Sequence, residues 1–532
     1  MRDFQLPGRS PAYAQKGMAA TSHSLATLTA IDVLRAGGNA VDAAIAASAV
    51  LCVVEPQSTG VGGDCFVLYA PADAGDVVAL NGSGKSPKAA SLSWFLDQGM
   101  DEIPLQSPHA VTVPGAVDAW CRLHGDYGHQ PFSALLQPAI RLAMEGYTIH
   151  PRVAYDWQDL SDKLRATEHA RRMLLVEGRS PKAGEVHRQS ALGETLQVIA
   201  EHGRDGFYTG PVAEDMVGYL QSIGGLHTLE DFESTATEYV TPISTQYRGY
   251  DVVECPPNGQ GLTALVMLNI LAGCSLTDFA PLSAERLHLE CEAAKLAYGV
   301  RDHYVADPDQ SDIPLETLLS KDYAAELGAK ISLDKALPPL TESDFPTHPD
   351  TVYLCVVDSD GNAVSFINSV FHGFGSGLVS PQTGVVLQNR GAGFTLRAGH
   401  PNAIAPLKRP LHTIIPGMLM RHGPKGASAV MPFGVMGGQY QPTGHAHFLT
   451  NVLDYRMDVQ TAIDAPRVFH NGKACEVERG VSPRVRKRLI ELGHEVVPAI
   501  TPHGGGQAIW IGEDSLIGAS DSRKDGCALG YE

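Results

Sequence analysis

Thr351 heads a dense apolar run, Val352-Tyr353-Leu354-Cys355-Val356-Val357. The run breaks at Asp358-Ser359-Asp360-Gly361-Asn362 and resumes as Ala363-Val364-Ser365-Phe366-Ile367-Asn368-Ser369-Val370. An Asp-Gly step between two β-branched runs signals a hairpin, so Thr351 opens a core strand. If the Asp350-Thr351 peptide bond is cut, the hydroxyl becomes a nucleophile and the freed α-amine lies close enough to take its proton. The alternative is an ordinary surface threonine at a strand start, a common use of that residue.

Other constellations promise less. His445 and His447 fall on a predicted helix at i, i+2, where side chains diverge, and no acidic third ligand is evident nearby, so no metal site is expected. Ser58-Thr59-Gly60-Val61-Gly62-Gly63 lacks a following Lys-Ser/Thr and precedes a strand, which favours a tight turn over a phosphate loop. Glu230-Asp231 reads as solvated surface. No motif calls for a cofactor.

The elements that must position Thr351 are legible in outline. Helical spacing runs from Ser24 to Ala36 and stops at Gly37-Gly38; Asn39 then caps a second helix from Ala40 to about Val53, ended by Pro56. A strand follows at 64–69. Helical patterns dominate from about Gly115 to Lys330: 116–124, 132–144, 190–202, 261–271 and 284–305. Leu333 to Pro349 is Pro-rich and polar, the composition a cleavable junction needs. Beyond Thr351 the chain is rich in strand and glycine, with helices near 445–453 and 483–492. Strands at both ends with helices between predict a composite α+β or layered α/β fold.

Composition narrows the function classes. The chain has 532 residues, 44% apolar and 19% charged, as in a globular enzyme. Its formal net charge of -19, with no offsetting basic cluster, argues against nucleic-acid binding. Nine scattered cysteines without a Cys-x-x-Cys fit a reducing compartment, and Met1 to Gln15 carries no apolar signal region. The longest apolar run, 43–54, is too short to span a bilayer. A cytoplasmic protein without membrane or nucleic-acid partners is expected.

Taken together, the chain resembles the γ-glutamyltransferase family of N-terminal-nucleophile hydrolases over nearly its whole length. Gly37-Gly38-Asn39-Ala40-Val41-Asp42-Ala43-Ala44 is similar to that family's N-terminal hallmark. Pro56-Gln57, Gly62-Gly63, Val113-Pro114-Gly115, Pro138-Ala139-Ile140, Pro256-Pro257 and Asp307-Pro308 follow in order. Thr351 to Gly361 is similar to the nucleophile segment, and Lys408-Arg409-Pro410-Leu411, Gly437-Gly438 and Gly518-Ala519-Ser520-Asp521 complete the set. The resemblance implies a four-layer αββα sandwich and self-cleavage between Asp350 and Thr351. A heavy subunit, 1–350, and a light subunit, 351–532, would stay associated as one composite domain. It implies Thr351 as nucleophile with its own amine as base, Ser369 as a hydroxyl orienting that amine, and Gly437 and Gly438 as oxyanion donors.

The sequence departs from the family where a γ-glutamyl head group would bind. Gly393 stands at the position expected to be an amine-binding Asp, Ser83 at an expected Arg, and His412-Thr413 at an expected Ser-Ser pair; the loop 395–405 is short. A substrate ammonium would lack a counter-charge, while Arg390 adds a cation. Arg390, Thr413 and His412 are therefore candidate ligands for the carboxylate of a small amide substrate. Asn389-Arg390-Gly391 and Val435-Met436-Gly437-Gly438-Gln439 resemble a side branch that includes oxamate amidohydrolase, which implies hydrolysis of oxamate to oxalate and ammonia. A γ-glutamyl hydrolase or transferase, a cephalosporin-type acylase, and an uncleaved, non-enzymatic binding relative are the alternatives.

Overall fold

The computed structural model describes residue 5 and residues 8–72, 74–339, 351–423 and 426–532. Asp350, and the expected cleavage junction from 340 onward, lie outside the described residues. Two seven-stranded antiparallel sheets lie face to face. One runs in the order Cys527–Tyr531, Gly17–Thr21, Val352–Val357, Ala363–Ser369, Asp64–Ala70, Val78–Gly82 and Glu238–Val240. The other runs Ala12–Ala14, Leu516–Ser520, Gly505–Ile511, Gly426–Met436, Gly417–Gly423, Tyr250–Glu254 and Ile243–Tyr247. Both sheets mix strands from either side of residue 350.

Strand alternation explains the layering. Along Val352–Val357, Val352, Leu354 and Val356 join a helix-covered core, whereas Tyr353, Cys355 and Val357 face the opposite sheet. The outer layer on Val352, Leu354 and Val356 includes helices Ser24–Arg35, Ala40–Val54, Phe132–Glu145 and Ser190–His202. Helices Gly261–Ala272, Ala284–Tyr304, Gln441–Leu453 and Val459–Asp464 cover the second sheet. The result is the four-layer αββα sandwich. Because both faces of these strands are buried, they read as continuous apolar runs rather than alternating ones.

The helix anticipated after Asn39 spans Ala40–Val54 and is buried along its entire length, which its alanines permit. Asn39 and Asp42 form a reciprocal capping box at its start. Asp42 also accepts the backbone N–H groups of His129 and Gln130 at 3.0–3.2 Å, tying the helix start to a neighbouring loop. The Ser58–Gly63 segment is the close-packed turn its glycines predict. A Cβ on Gly62 would lie 2.2 Å from the Val386 carbonyl, and one on Gly63 2.2 Å from that of Ser369. Three strands between 238 and 254 that complete both sheets have no counterpart in the expectations from sequence. Asp231 is a correction: it is buried, caps the helix Leu229–Glu233 with Thr228 and accepts the Lys88 N–H, so only Glu230 fits the expected solvated role.

Candidate active site

Thr351 is buried at the start of the Val352–Val357 strand. The hairpin register pairs Val352 with Asn368 and so sets Thr351 across from Ser369. The two hydroxyl oxygens are 3.2 Å apart. Ser369 Oγ also accepts the Phe371 N–H at 3.0 Å and an Arg390 Nη2 hydrogen at 3.4 Å. A serine hydroxyl has two acceptor positions and one proton, so this accounting leaves the Ser369 proton for Thr351 Oγ1. Phe371 has a φ of 79°, a left-handed conformation that costs a bulky residue about 1–3 kcal/mol. The turn brings its ring under the Arg390 guanidinium, 4.1 Å away.

Arg390 opens a single 3-10 turn, Arg390–Gly393, and is fully buried. Gly391 lets that turn press on the 108–110 segment, since a Cβ there would meet the Ala110 carbonyl at 2.8 Å. Arg390 Nη1 donates to Thr413 Oγ1 at 2.7 Å, and Nε has no protein acceptor among the described residues. Among those residues no carboxylate lies within ion-pair distance of the guanidinium. Burial lowers its pKa to about 9, with the charge of Asp64 opposing the shift, so it remains a cation at neutral pH.

Asp64, which opens the strand beside Ser369 in register, organises the floor. Its Oδ1 accepts Gly84 N–H at 3.0 Å, Gly115 N–H at 3.1 Å and Gln388 Nε2 at 2.8 Å. Its Oδ2 lies 3.0 Å from His412 Nε2. His412 Nδ1 accepts the Ile414 N–H at 3.3 Å, and the ring packs 4.7 Å from Phe66. Both ring nitrogens thus have protein partners, and His412 orients Asp64. Burial, then the nearby Arg390 charge, lowers its pKa to about 4 and keeps the ring neutral.

Gly437 and Gly438 directly follow Gly426–Met436, the central strand of the opposite sheet. Ser365 Oγ donates to the Phe433 carbonyl at 3.3 Å, and a Cβ on Gly434 would strike the Tyr353 ring at 2.4 Å. These contacts seat the strand on the face of the Thr351 sheet. Gly437 (φ 119°) and Gly438 (φ 54°) both require left-handed backbone, and a Cβ on Gly437 would sit 2.8 Å from Gly504 Cα. Among the described residues neither N–H has a hydrogen-bond acceptor. Gln260 ties this turn to Thr413, its Nε2 donating to the Thr413 carbonyl at 2.7 Å and the Gly438 carbonyl at 2.9 Å. Arg301 holds Gln260 Oε1 at 3.1 Å and also bonds the Gln439 side chain.

Hydrogen bonds therefore link Thr351, Ser369, Arg390 and Thr413 directly, and Gln260 joins Gly438 to them. The departures noted in sequence fall in the same region. Gly393 has no side chain to offer and bonds through its backbone, its carbonyl accepting Asn402 Nδ2 at 2.6 Å. Ser83 Oγ accepts Asn258 Nδ2 at 3.0 Å, and Asn258 Oδ1 accepts Asn81 Nδ2 at 2.9 Å. His445 and His447 diverge along their helix, His445 to Glu254 at 2.7 Å and His447 to Glu290 at 2.9 Å. Sequence reasoning missed Asp64, Gln260 and Gln388. The one available signal was an acid opening a buried strand directly after Gly62-Gly63.

Comparison with known proteins gives a consistent picture. The family model described as gamma-glutamyltranspeptidase matches residues 26–531. The glutathione hydrolase-like YwrD proenzyme of Bacillus subtilis (strain 168) is 37% identical over 97% of this chain and 98% of its own length. The oxamate amidohydrolase proenzyme of Klebsiella pneumoniae is 34% identical over 97% of this chain and 98% of its own length. The crystal structure of cephalosporin acylase from Bacillus halodurans superposes with a TM-score of 0.92 at 40% identity, covering 100% of this chain and 99% of that one.

Proposed function

The chain belongs to the gamma-glutamyltranspeptidase family of N-terminal-nucleophile hydrolases, enzymes that act on linear amide bonds, and we propose that it is a self-processing amidohydrolase for a small carboxylate-bearing amide. Cleavage before Thr351 yields segments 1–350 and 351–532, which stay interleaved through both sheets. Thr351 Oγ1 attacks the substrate carbonyl while its α-amine takes the hydroxyl proton; Ser369, expected from the sequence to orient that amine, here hydrogen-bonds the Thr351 hydroxyl itself and keeps it oriented. The Gly437 and Gly438 N–H groups receive the oxyanion of the tetrahedral intermediate. Collapse expels ammonia or an amine, which leaves with the proton held by the α-amine. Water then adds to the acyl ester and frees the acid.

The observation that carries the substrate class is Arg390. A buried cation without a carboxylate partner is costly unless a ligand supplies the anion. Its Nη atoms reach Ser369 and Thr413, so a bound carboxylate lies within a few bonds of the nucleophile. Gly393 offers no acid for a substrate ammonium. Oxamate, with one carboxylate adjacent to its amide and no amine, matches these requirements. The likeness to a cephalosporin acylase structure favours a second reading, an acyl amide with a more distant carboxylate.

Ammonia release from oxamate and from glutaryl amides, measured beside p-nitroaniline release from γ-glutamyl-p-nitroanilide, tests the proposal. Oxamate turnover is expected to exceed the others, and Thr351→Ala to remain one uncut, inactive chain on a reducing denaturing gel. Turnover of glutaryl amides alone selects the second reading. Turnover of the γ-glutamyl compound alone refutes the role given to Arg390 and Gly393. An uncut, inactive wild-type chain points instead to a non-enzymatic binding relative.

A further inference from the structure

Away from Thr351, a buried polar cluster joins the two sides of the expected cleavage point. Cys291, on the helix Ala284–Tyr304, and Cys475, which opens the strand Cys475–Val477, have their sulfurs 3.6 Å apart. The second face of Cys475 meets His494 Nδ1 at 3.4 Å. His494 Nε2 lies 2.7 Å from His288 Nδ1, and His288 Nε2 lies 2.7 Å from the Ser332 carbonyl. A carbonyl only accepts, so His288 Nε2 carries a proton and its Nδ1 accepts one from His494 Nε2. That tautomer leaves His494 Nδ1 unprotonated and facing the Cys475 thiol, the arrangement of a base beside its nucleophile.

We propose that Cys291 and Cys475 form a redox-active dithiol which hydrogen peroxide oxidises to a disulfide across the two segments. His494 takes the Cys475 proton. The thiolate attacks the peroxide, breaking the O–O bond, and hydroxide leaves with the proton from His494 as water. The resulting sulfenic acid is attacked by Cys291 sulfur; the S–S bond forms and a second water leaves with the Cys291 proton. Two thiols and one peroxide thus give one disulfide and two waters. From the present contact, closure needs a sulfur movement of about 1.5 Å.

The surroundings support this over a structural role. Contact with Cys291 draws Cys475 below the ordinary thiol range, with His494 and Lys295 adding to the effect, and the same contact raises Cys291. Cys52, buried just as deeply but with Thr59 rather than an imidazole as its hydrogen-bond partner, is pushed up to about 12. The donor atoms of His288, Glu292 and His494 lie within 4.8 Å of one another, but this set suits a metal poorly. Glu292 is already neutralised by Lys295 Nζ at 2.7 Å, and the two imidazoles share a proton.

That the bond ties two separate subunits rests on the cleavage proposed above; the bond itself does not. The test is a thiol-alkylation peptide map of the wild-type protein, after reduction and after hydrogen peroxide, beside reducing and non-reducing denaturing gels. The expected result is a Cys291–Cys475 linked peptide lacking two hydrogens, reversed by dithiothreitol, and formed about ten-fold more slowly in His494→Ala. On gels, oxidised cleaved protein runs as one band without reductant and two with it. The reducing lane reports cleavage alone, so failure of either reading is visible separately. Full alkylation of both cysteines after peroxide treatment, or Cys475 recovered as sulfinic acid with Cys291 intact, overturns the proposal. So does stoichiometric zinc that protects both thiols.

Discussion

Arg390 concentrates the argument about specificity into one side chain. Its guanidinium lies over Phe371, bonds Thr413 and Ser369, and has no carboxylate within ion-pair distance among the described residues. Arg390→Ala is expected to weaken binding of a carboxylate-bearing amide by about 1.5–3 kcal/mol, a rise in KM of roughly ten- to a hundred-fold. An uncharged amide should be turned over equally slowly by both proteins. Steady-state kinetics on the pair of substrates decides it, and an unchanged KM for the charged one removes Arg390 from the binding role. Lysine is not a neutral replacement, because a point charge cannot fork two oxygens or stack on the Phe371 ring. The residue types here were legible: Thr351, Ser369, Arg390 and Thr413 were singled out from sequence and stand in one hydrogen-bonded chain. His412 shows the limit, since nothing in sequence says that both its nitrogens find protein partners.

At the scale of elements, the site depends on the start of one strand from the first segment and the end of another from the second. Asp64 fixes the first, collecting two backbone N–H groups, an amide and an imidazole on one buried carboxylate. In Asp64→Asn the amide NH2 faces His412 Nε2–H, and the ring cannot change tautomer without losing the Ile414 N–H bond. That leaves a buried donor unsatisfied and costs about 1–3 kcal/mol. Urea denaturation should show a lower midpoint with an unchanged slope; an unchanged midpoint contradicts this account. The hairpin, the Asn39-capped helix and the close-packed glycine turn were readable because their signals are local: an Asp-Gly turn, a cap, residues without a Cβ. Asp64, Gln260 and Gln388 were not, because their meaning lies in partners 20 to more than 300 residues away. The short strands between 238 and 254 escaped for a related reason, since their place in the sheets is set by strands distant in sequence.

The whole molecule buries many histidines, and this sets how acid should unfold it. Burial holds His187 and His227 at about 4 and His23 at about 3; His412, also lowered by Arg390, lies at about 4. Each is below the ordinary value of about 6.5, so between the two values the unfolded chain binds more protons than the folded one. Their contribution to stability is therefore complete above about pH 6.5 and is lost as the pH falls toward 4. Each adds roughly 1.4 kcal/mol per pH unit across that window. Glu55 opposes one of them: burial raises it to about 7, so the fold holds its proton and its contribution is lost as the pH rises through 7. Asp521 and Glu290, held near 2 in their ion-paired surroundings, weaken the fold only in stronger acid. Burial holds His372 and His470 at about 3 in the same way, so the six rings, offset by Glu55, give a net uptake of about five protons on unfolding near pH 5. Melting temperature should fall steeply from pH 6.5 to 5 and change little from 8 to 7.5. His187→Gln should reduce the slope by about one proton. A melting temperature that stays level between pH 6.5 and 5 would show that these rings are protonated in the folded protein and that burial does not control their charge.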